Sequence, residues 1–264
     1  MLQGKVCIVT GSTAGIGKGI AKAFLKEGAR HVFINGRSEA TVKKTIESFE
    51  AEGFQNVTGV IADLGTAEGC DVFIQEVNKS GMEIDVLVNN MGIFGTMNFF
   101  DITDADWMNY FNVNVLSTVR LCRNYLKRML ERNSGRIIII SSECGLRPIP
   151  DMIHYSMTKA AQINIARGLA ELTKGTKVTV NSLLPGPTAT EGLEEYIDGI
   201  AAKTGKTREA ATTSYFQERE PTSLIQRFLT VDEVSNVAAF LASDRSSGIN
   251  GAAQLVEGGV IRSI

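Results

Sequence analysis

The feature that most constrains this chain is an alternation. Short runs of apolar residues, rich in Val and Ile, are separated by longer stretches with helical spacing. The runs are Lys5 to Thr10, His31 to Asn35, Val57 to Ile61, Ile84 to Val88, Arg136 to Ser141, Lys177 to Ser182 and Ala253 to Val256. Helices are predicted between them, the first from Gly15 to about Glu27 and the second from about Glu39 to Glu52. Strands that are apolar on both faces must be covered on both faces. The pattern therefore predicts an α/β fold, a doubly wound seven-stranded parallel sheet with helices on both sides. One continuous alternation of this kind predicts a single domain over residues 1–264.

Composition narrows the function by exclusion. The 27 Lys and Arg against 29 Asp and Glu give a net charge of −2, which leaves no electrostatic footprint for nucleic acid. No apolar run approaches the roughly 18 residues that span a bilayer. The start, MLQGKVCIVTGS, lacks a basic segment followed by a long apolar one, so a cytoplasmic protein is expected. Cys7, Cys70, Cys122 and Cys144 are far apart, and His31 and His154 have no partner at ligand spacing. No metal site is expected.

The first strand runs into Thr10-Gly11-Ser12-Thr13-Ala14-Gly15-Ile16-Gly17. A glycine-rich turn at a helix start lets backbone N–H groups approach a pyrophosphate, with the helix dipole favouring its charge. The spacing is GxxxGxG rather than GxGxxG, and on its own it also suits a turn that only packs helix on strand. Asp63 after the third strand and Val88-Asn89-Asn90-Met91-Gly92 after the fourth are predicted at the same sheet edge, where such folds bind ligands. The second strand ends in Asn35-Gly36-Arg37-Ser38, without the carboxylate that usually accepts an NAD ribose hydroxyl. Arg37 suits a 2′-phosphate, so NADP(H) is favoured, with NAD(H) as the alternative.

Tyr155 and Lys159 are four residues apart in a predicted helix and so share one face. A free tyrosine titrates near pH 10, and a neighbouring ammonium is expected to lower that value, giving a usable proton donor and acceptor. Ser142, just past the fifth strand, is expected at the same crevice, where its hydroxyl would hold a substrate carbonyl. Asn114 falls inside a predicted helix, where asparagine is mildly unfavourable and suggests a local task.

In this set the chain resembles the short-chain dehydrogenase/reductase family, from Lys5 to about Gly259. The resemblance rests on TGxxxGxG at Thr10 to Gly17, Asp63, NNxG at Asn89 to Gly92, Asn114, Ser142, Tyr155, Lys159 and Pro185-Gly186-Pro187-Thr188-Ala189-Thr190. It implies a Rossmann-type fold and an NADPH-dependent ketoreductase of 3-oxoacyl reductase-like kind, acting on a small carbonyl or alcohol. Tyr155 would be the acid or base, and Lys159 would bind the nicotinamide ribose. Ser142 would orient the substrate oxygen, and Asn114 would hold a relay water. Gly11, Ser12, Thr13, Gly15, Ile16, Gly17, Asp63 and Leu64 would line the cofactor, as would Asn90, Gly92, Pro185, Gly186, Thr188 and Thr190. A homo-oligomer, dimer or tetramer, is implied as well. An NAD-dependent alcohol dehydrogenase and a non-catalytic dinucleotide sensor stay open as alternatives. Acyl thioesters, sugars, steroids and other ketones are not distinguished as substrates. Met91, where the family usually has Ala, adds bulk beside the cofactor, and Glu257 replaces a C-terminal Asp with an expected structural role.

Two further readings concern the site's rim. Between Glu191 and Leu229 no strand is due, and apolar residues such as Tyr215, Phe216 and Phe228 exceed the needs of a solvated loop. With helical patterning from Leu193 to Ile200, the segment is expected to be a mobile lid over the pocket, with a packed, static surface helical hairpin as the alternative. Cys144, two residues past Ser142, is either a reactive thiol at the rim or an inert buried one.

Overall fold

The computed structural model describes residues 1–262; Ser263 and Ile264, the end of the expected domain, lie outside the described residues. Seven strands form one parallel sheet: β1 (Val6–Val9), β2 (His31–Gly36), β3 (Val57–Ile61), β4 (Val86–Asn89), β5 (Gly135–Ile140), β6 (Val178–Pro185) and β7 (Ala253–Val256). Their order across the sheet is β3-β2-β1-β4-β5-β6-β7, so the direction of winding reverses between β1 and β4. Crossovers from that point run outward both ways, and the carboxyl ends of β1 and β4 open a crevice between them.

Alternation along each strand divides the core in two. Cys7, Val9, Val32 and Ile34 point to one face, where they meet α1 (Gly15–Lys26), α9 (Val231–Ala242) and Phe49 of α2 (Glu39–Ala51). Val6, Ile8 and Phe33 point to the other. There they meet α3 (Ala67–Lys79), α5 (Ser117–Glu131) and α6 (Ile153–Glu171) through Phe73, Leu121, Tyr125 and Ala166. This two-sided burial is what made the strands read as unbroken apolar runs.

Two regions depart from plain alternation. Between α4 (Asp104–Tyr110) and α5 the chain does not leave the helix but widens into a π-helical segment, Phe111–Leu116. Past β6, residues 191–218 are not a loop. They fold as α7 (Glu191–Thr204) and α8 (Arg208–Glu218), joined at Gly205, whose φ of +65° closes α7 in the left-handed region that glycine favours. Ile197, Ala201 and Ala211 pack with Tyr215 and Phe228 into a small cluster separate from the two sheet faces.

Candidate active site

The glycine-rich turn owes its shape to close approach. Gly11 and Gly15 have φ of +57° and +54°. A Cβ on Gly11 would also lie 2.9 Å from the Met91 backbone, and one on Gly17 would strike the Asn90 amide and the Gly11 carbonyl. Asn90 Nδ2 donates to Thr10 O (2.9 Å) and Gly11 O (3.0 Å), tying the ends of β1 and β4 together. The turn also takes an anion: Gly15 N donates to the Glu191 carboxylate at 3.0 Å, a stand-in for phosphate oxygen at a helix start.

The other expected cofactor residues divide between the open edge and the interior. Gly15, Ile16, Gly17, Asn90, Gly92, Pro185, Gly186, Thr188 and Thr190 line one cleft of about 790 Å³, together with Ser142, Tyr155 and Lys159. Thr13 is partly exposed at the turn. Arg37 is exposed just past β2, without an ion pair among the described residues, and Asp63 is exposed past β3. Ser12 turns inward instead: its hydroxyl donates to Val9 O (2.6 Å) and accepts from Asn35 N (3.0 Å). The Leu64 side chain is fully buried in the core. These two fix the turns rather than present side chains to a ligand. Met91 packs partly buried against the core and lies against Gly11 of the glycine-rich turn. Glu257 accepts from the backbone N–H groups of Val260 and Ile261, the structural role expected.

Tyr155 and Lys159 face the cleft from adjacent turns of α6, with Lys159 Nζ 5.5 Å from the Tyr155 ring centroid. The ammonium donates to Ile140 O and to Gln162 Oε1, both at 2.9 Å. Burial lowers Lys159 to about 8, opposed by the nearby Cys144 and Glu143. Burial also pushes the Tyr155 phenol well above the ordinary tyrosine range, with Cys144 and Glu143 adding to the shift and Ser142 opposing it. The expected lowering by Lys159 is not met, because desolvation of the phenolate outweighs an ammonium engaged elsewhere. Burial likewise pushes the Cys144 thiol up to about 12, which fits the inert reading of that residue.

Asn114 lies in the π-helical segment, fully buried. Its side chain accepts from Ile93 N (2.8 Å) and donates to Ile93 O and Thr158 Oγ1 (both 3.0 Å), clamping the strand exit beside Gly92 against α6. Widening the helix frees main-chain carbonyls, as π-bulges at functional sites commonly do. Here the Asn114 carbonyl accepts from Gln162 Nε2 (2.8 Å) and Thr118 Oγ1 (3.2 Å).

Three residues escaped the sequence reading. Gln162 bridges Lys159 to the Asn114 carbonyl; its signal was an amide three residues past the lysine in an Ala-rich apolar helix. Glu143 is buried between Ser142 and Cys144, its carboxylate accepting from the Ser142 hydroxyl. Glu220 is buried just past α8 and lines the same cleft. No local pattern marks either glutamate.

Comparison with known proteins identifies the family. A family model of short chain dehydrogenases matches residues 5–200. The chain is 53% identical to "Uncharacterized oxidoreductase YvrD" of Bacillus subtilis (strain 168), covering 100% of this chain and 98% of that one. It is 32% identical to the 3-oxoacyl-[acyl-carrier-protein] reductase FabG of Aquifex aeolicus (strain VF5), covering 98% of each. In structure it is similar to the L-sorbose reductase of Gluconobacter frateurii complexed with NADPH and L-sorbose. That similarity has a TM-score of 0.93 at 30% identity and covers 100% of this chain and 98% of that one.

Proposed function

Because the chain belongs to the short-chain dehydrogenase/reductase family, we propose that it is an NADPH-dependent ketoreductase converting a small ketone to a secondary alcohol. The observation that carries this reading is the convergence of Ser142, Tyr155 and Lys159 on one cleft with the glycine-rich turn. The bound dinucleotide supplies the hydride. The Ser142 hydroxyl turns from the Glu143 carboxylate to donate to the carbonyl oxygen, and the Tyr155 hydroxyl gives its proton to that oxygen as charge develops. A phenol held above its ordinary range stays protonated at neutral pH, which suits the donor's role in reduction. Lys159 supplies positive charge and a free N–H for a ribose hydroxyl, while Asn114 keeps the loop at Gly92 closed on α6. Oxidation of NADPH, followed by absorbance across a ketone panel, tests the reading. Tight binding with no oxidation by any ketone would leave the dinucleotide sensor in its place.

Preference for NADPH rests on Arg37, exposed beyond β2 and without an ion pair among the described residues, where a 2′-phosphate would lie. Arg37→Ala should raise the Kd for NADPH about tenfold and that for NADH hardly at all, the size of one solvent-screened charge-assisted contact. Equal losses for both cofactors would show that Arg37 does not read the phosphate. Gly36 beside it is no place for an introduced acid, since a Cβ there would meet Thr13 Cγ2 at 2.6 Å.

The α7–α8 hairpin serves as the lid. Its first residue, Glu191, holds the Gly15 N–H that an anionic cofactor would take, so binding requires the α7 start to shift. NADPH should therefore slow amide exchange across residues 191–218 more than in β1. Unchanged exchange there, in protein saturated with NADPH, would make the hairpin static. A cytoplasmic homo-oligomer completes the reading; the half-exposed edge strand β7 supports assembly through that edge. Among the described residues no helix is long and apolar enough to cross a membrane.

A further inference from the structure

On the substrate side of the cleft, past Ser142 and Tyr155, the wall holds two carboxyl groups that the chemistry above does not use. Glu143 is 5% exposed and Glu220 is 0% exposed, and both line the cleft. A buried carboxyl is costly unless its oxygens find donors. Glu220 Oε2 finds one in the Arg147 guanidinium, but Glu220 Oε1 has no hydrogen-bond partner. Glu143 Oε2 accepts from Ser142, while its Oε1 has only the Cys144 thiol at 3.5 Å, a weak donor. Each residue thus holds one under-used acceptor oxygen within the wall of the cleft.

From this pair we infer a substrate class: Glu143 and Glu220 form an acceptor wall for hydroxyl groups beside the reacting carbon, so the substrate is a polyhydroxylated ketone. The inference rests on the ketoreductase reading and narrows it. An ammonium-bearing substrate suits the wall less well. The charge of Glu220 is already matched by Arg147, and Arg219 in the same wall is paired in two-pronged fashion with Asp151 at 2.9 and 3.0 Å. Burial holds both Glu143 and Glu220 above the ordinary carboxylate range, which further favours neutral donors over a cation. An unsubstituted acyl chain would leave both oxygens desolvated and unpaired, and a site built for hydroxyls rejects partners that lack them.

The test is NADPH-dependent reduction of four probes: erythrulose, its deoxygenated skeleton 2-butanone, aminoacetone and an acetoacetyl thioester. The wild type should prefer erythrulose over 2-butanone in kcat/KM by about 10²-fold or more. Glu220→Gln still accepts from Arg147 but offers the cleft a donor amide, and it should cut that preference at least tenfold (order of magnitude), chiefly through KM. Glu143→Gln provides the second variant, with the same direction expected, and melting curves with NADPH titration check that each is folded. Turnover of 2-butanone or the thioester with a flat preference, or an unchanged preference in both folded variants, would overturn the substrate class while leaving the ketoreductase reading intact. Aminoacetone as the best substrate would replace the hydroxyl wall with a cation site. Failure of bound NADPH to reduce any probe would take down the reading and the class together.

Discussion

Tyr155→Phe should lower ketone turnover by about 10²-fold or more, while the Kd for NADPH stays close to that of the wild type. The substitution removes one oxygen and leaves the ring in place against Phe94, whose centroid lies 6.4 Å away, so the cleft keeps its shape. It leaves Lys159 on Ile140 O and Gln162, and Ser142 on Glu143, so the binding groups around it are undisturbed. What disappears is the proton donor, because the Ser142 hydroxyl, shared with the Glu143 carboxylate, can hydrogen-bond the carbonyl oxygen but as an aliphatic alcohol is too weak an acid to give up its proton in place of the phenol. Because burial holds the phenol high, the donor form persists through neutral pH, and the loss should be about the same at pH 6 and pH 8. Turnover and NADPH fluorescence titration on the same preparation decide the matter. A variant that binds NADPH and turns over at near wild-type rate would remove Tyr155 from the chemistry.

How much of this was legible in the sequence depends on how local each cause is. Every strand was readable because burial on both faces makes a run such as Arg136 to Ser141 apolar at every other position and beyond, whatever lies far away in the chain. The turn at Gly11 to Gly17 and the Tyr155–Lys159 pair were readable because fixed spacing along one element places them. The π-helical segment was not. It is held by partners 21 and 44 residues from Asn114, and the asparagine inside Phe-Asn-Val-Asn-Val-Leu signals a local task but not a widened helix. The inward turn of Ser12 depends on Asn35 in the neighbouring strand, and the role of Glu220 depends on Arg147, 73 residues away. The 191–229 segment was half legible: helical patterning from Leu193 to Ile200 and later apolar residues announced a packed helical hairpin, but not that its two helices share a small core of their own.

Gln162 marks the limit most sharply, and it yields a test with opposite signs. Its amide is fully buried and fully used, accepting from Lys159 and donating to Asn114 O and Thr118 Oγ1. It joins the ammonium to the π-helical segment by direct bonds on both sides and acts as a positioning residue for Lys159. Gln162→Leu would leave the ammonium with one fewer acceptor and the Asn114 carbonyl with one fewer donor, costing about 1–3 kcal/mol of stability for the orphaned groups. Losing an acceptor disfavours the charged form, so Lys159, already lowered to about 8, should fall further. The alkaline limb of kcat/KM should then move to lower pH. Gln162→Glu puts a carboxylate against the ammonium, favours the charged form, and should move the same limb to higher pH. A purely structural glutamine would lower stability in both variants without shifting the limb in opposite directions. Parallel shifts, or none, in two folded variants would separate Gln162 from the charge of Lys159.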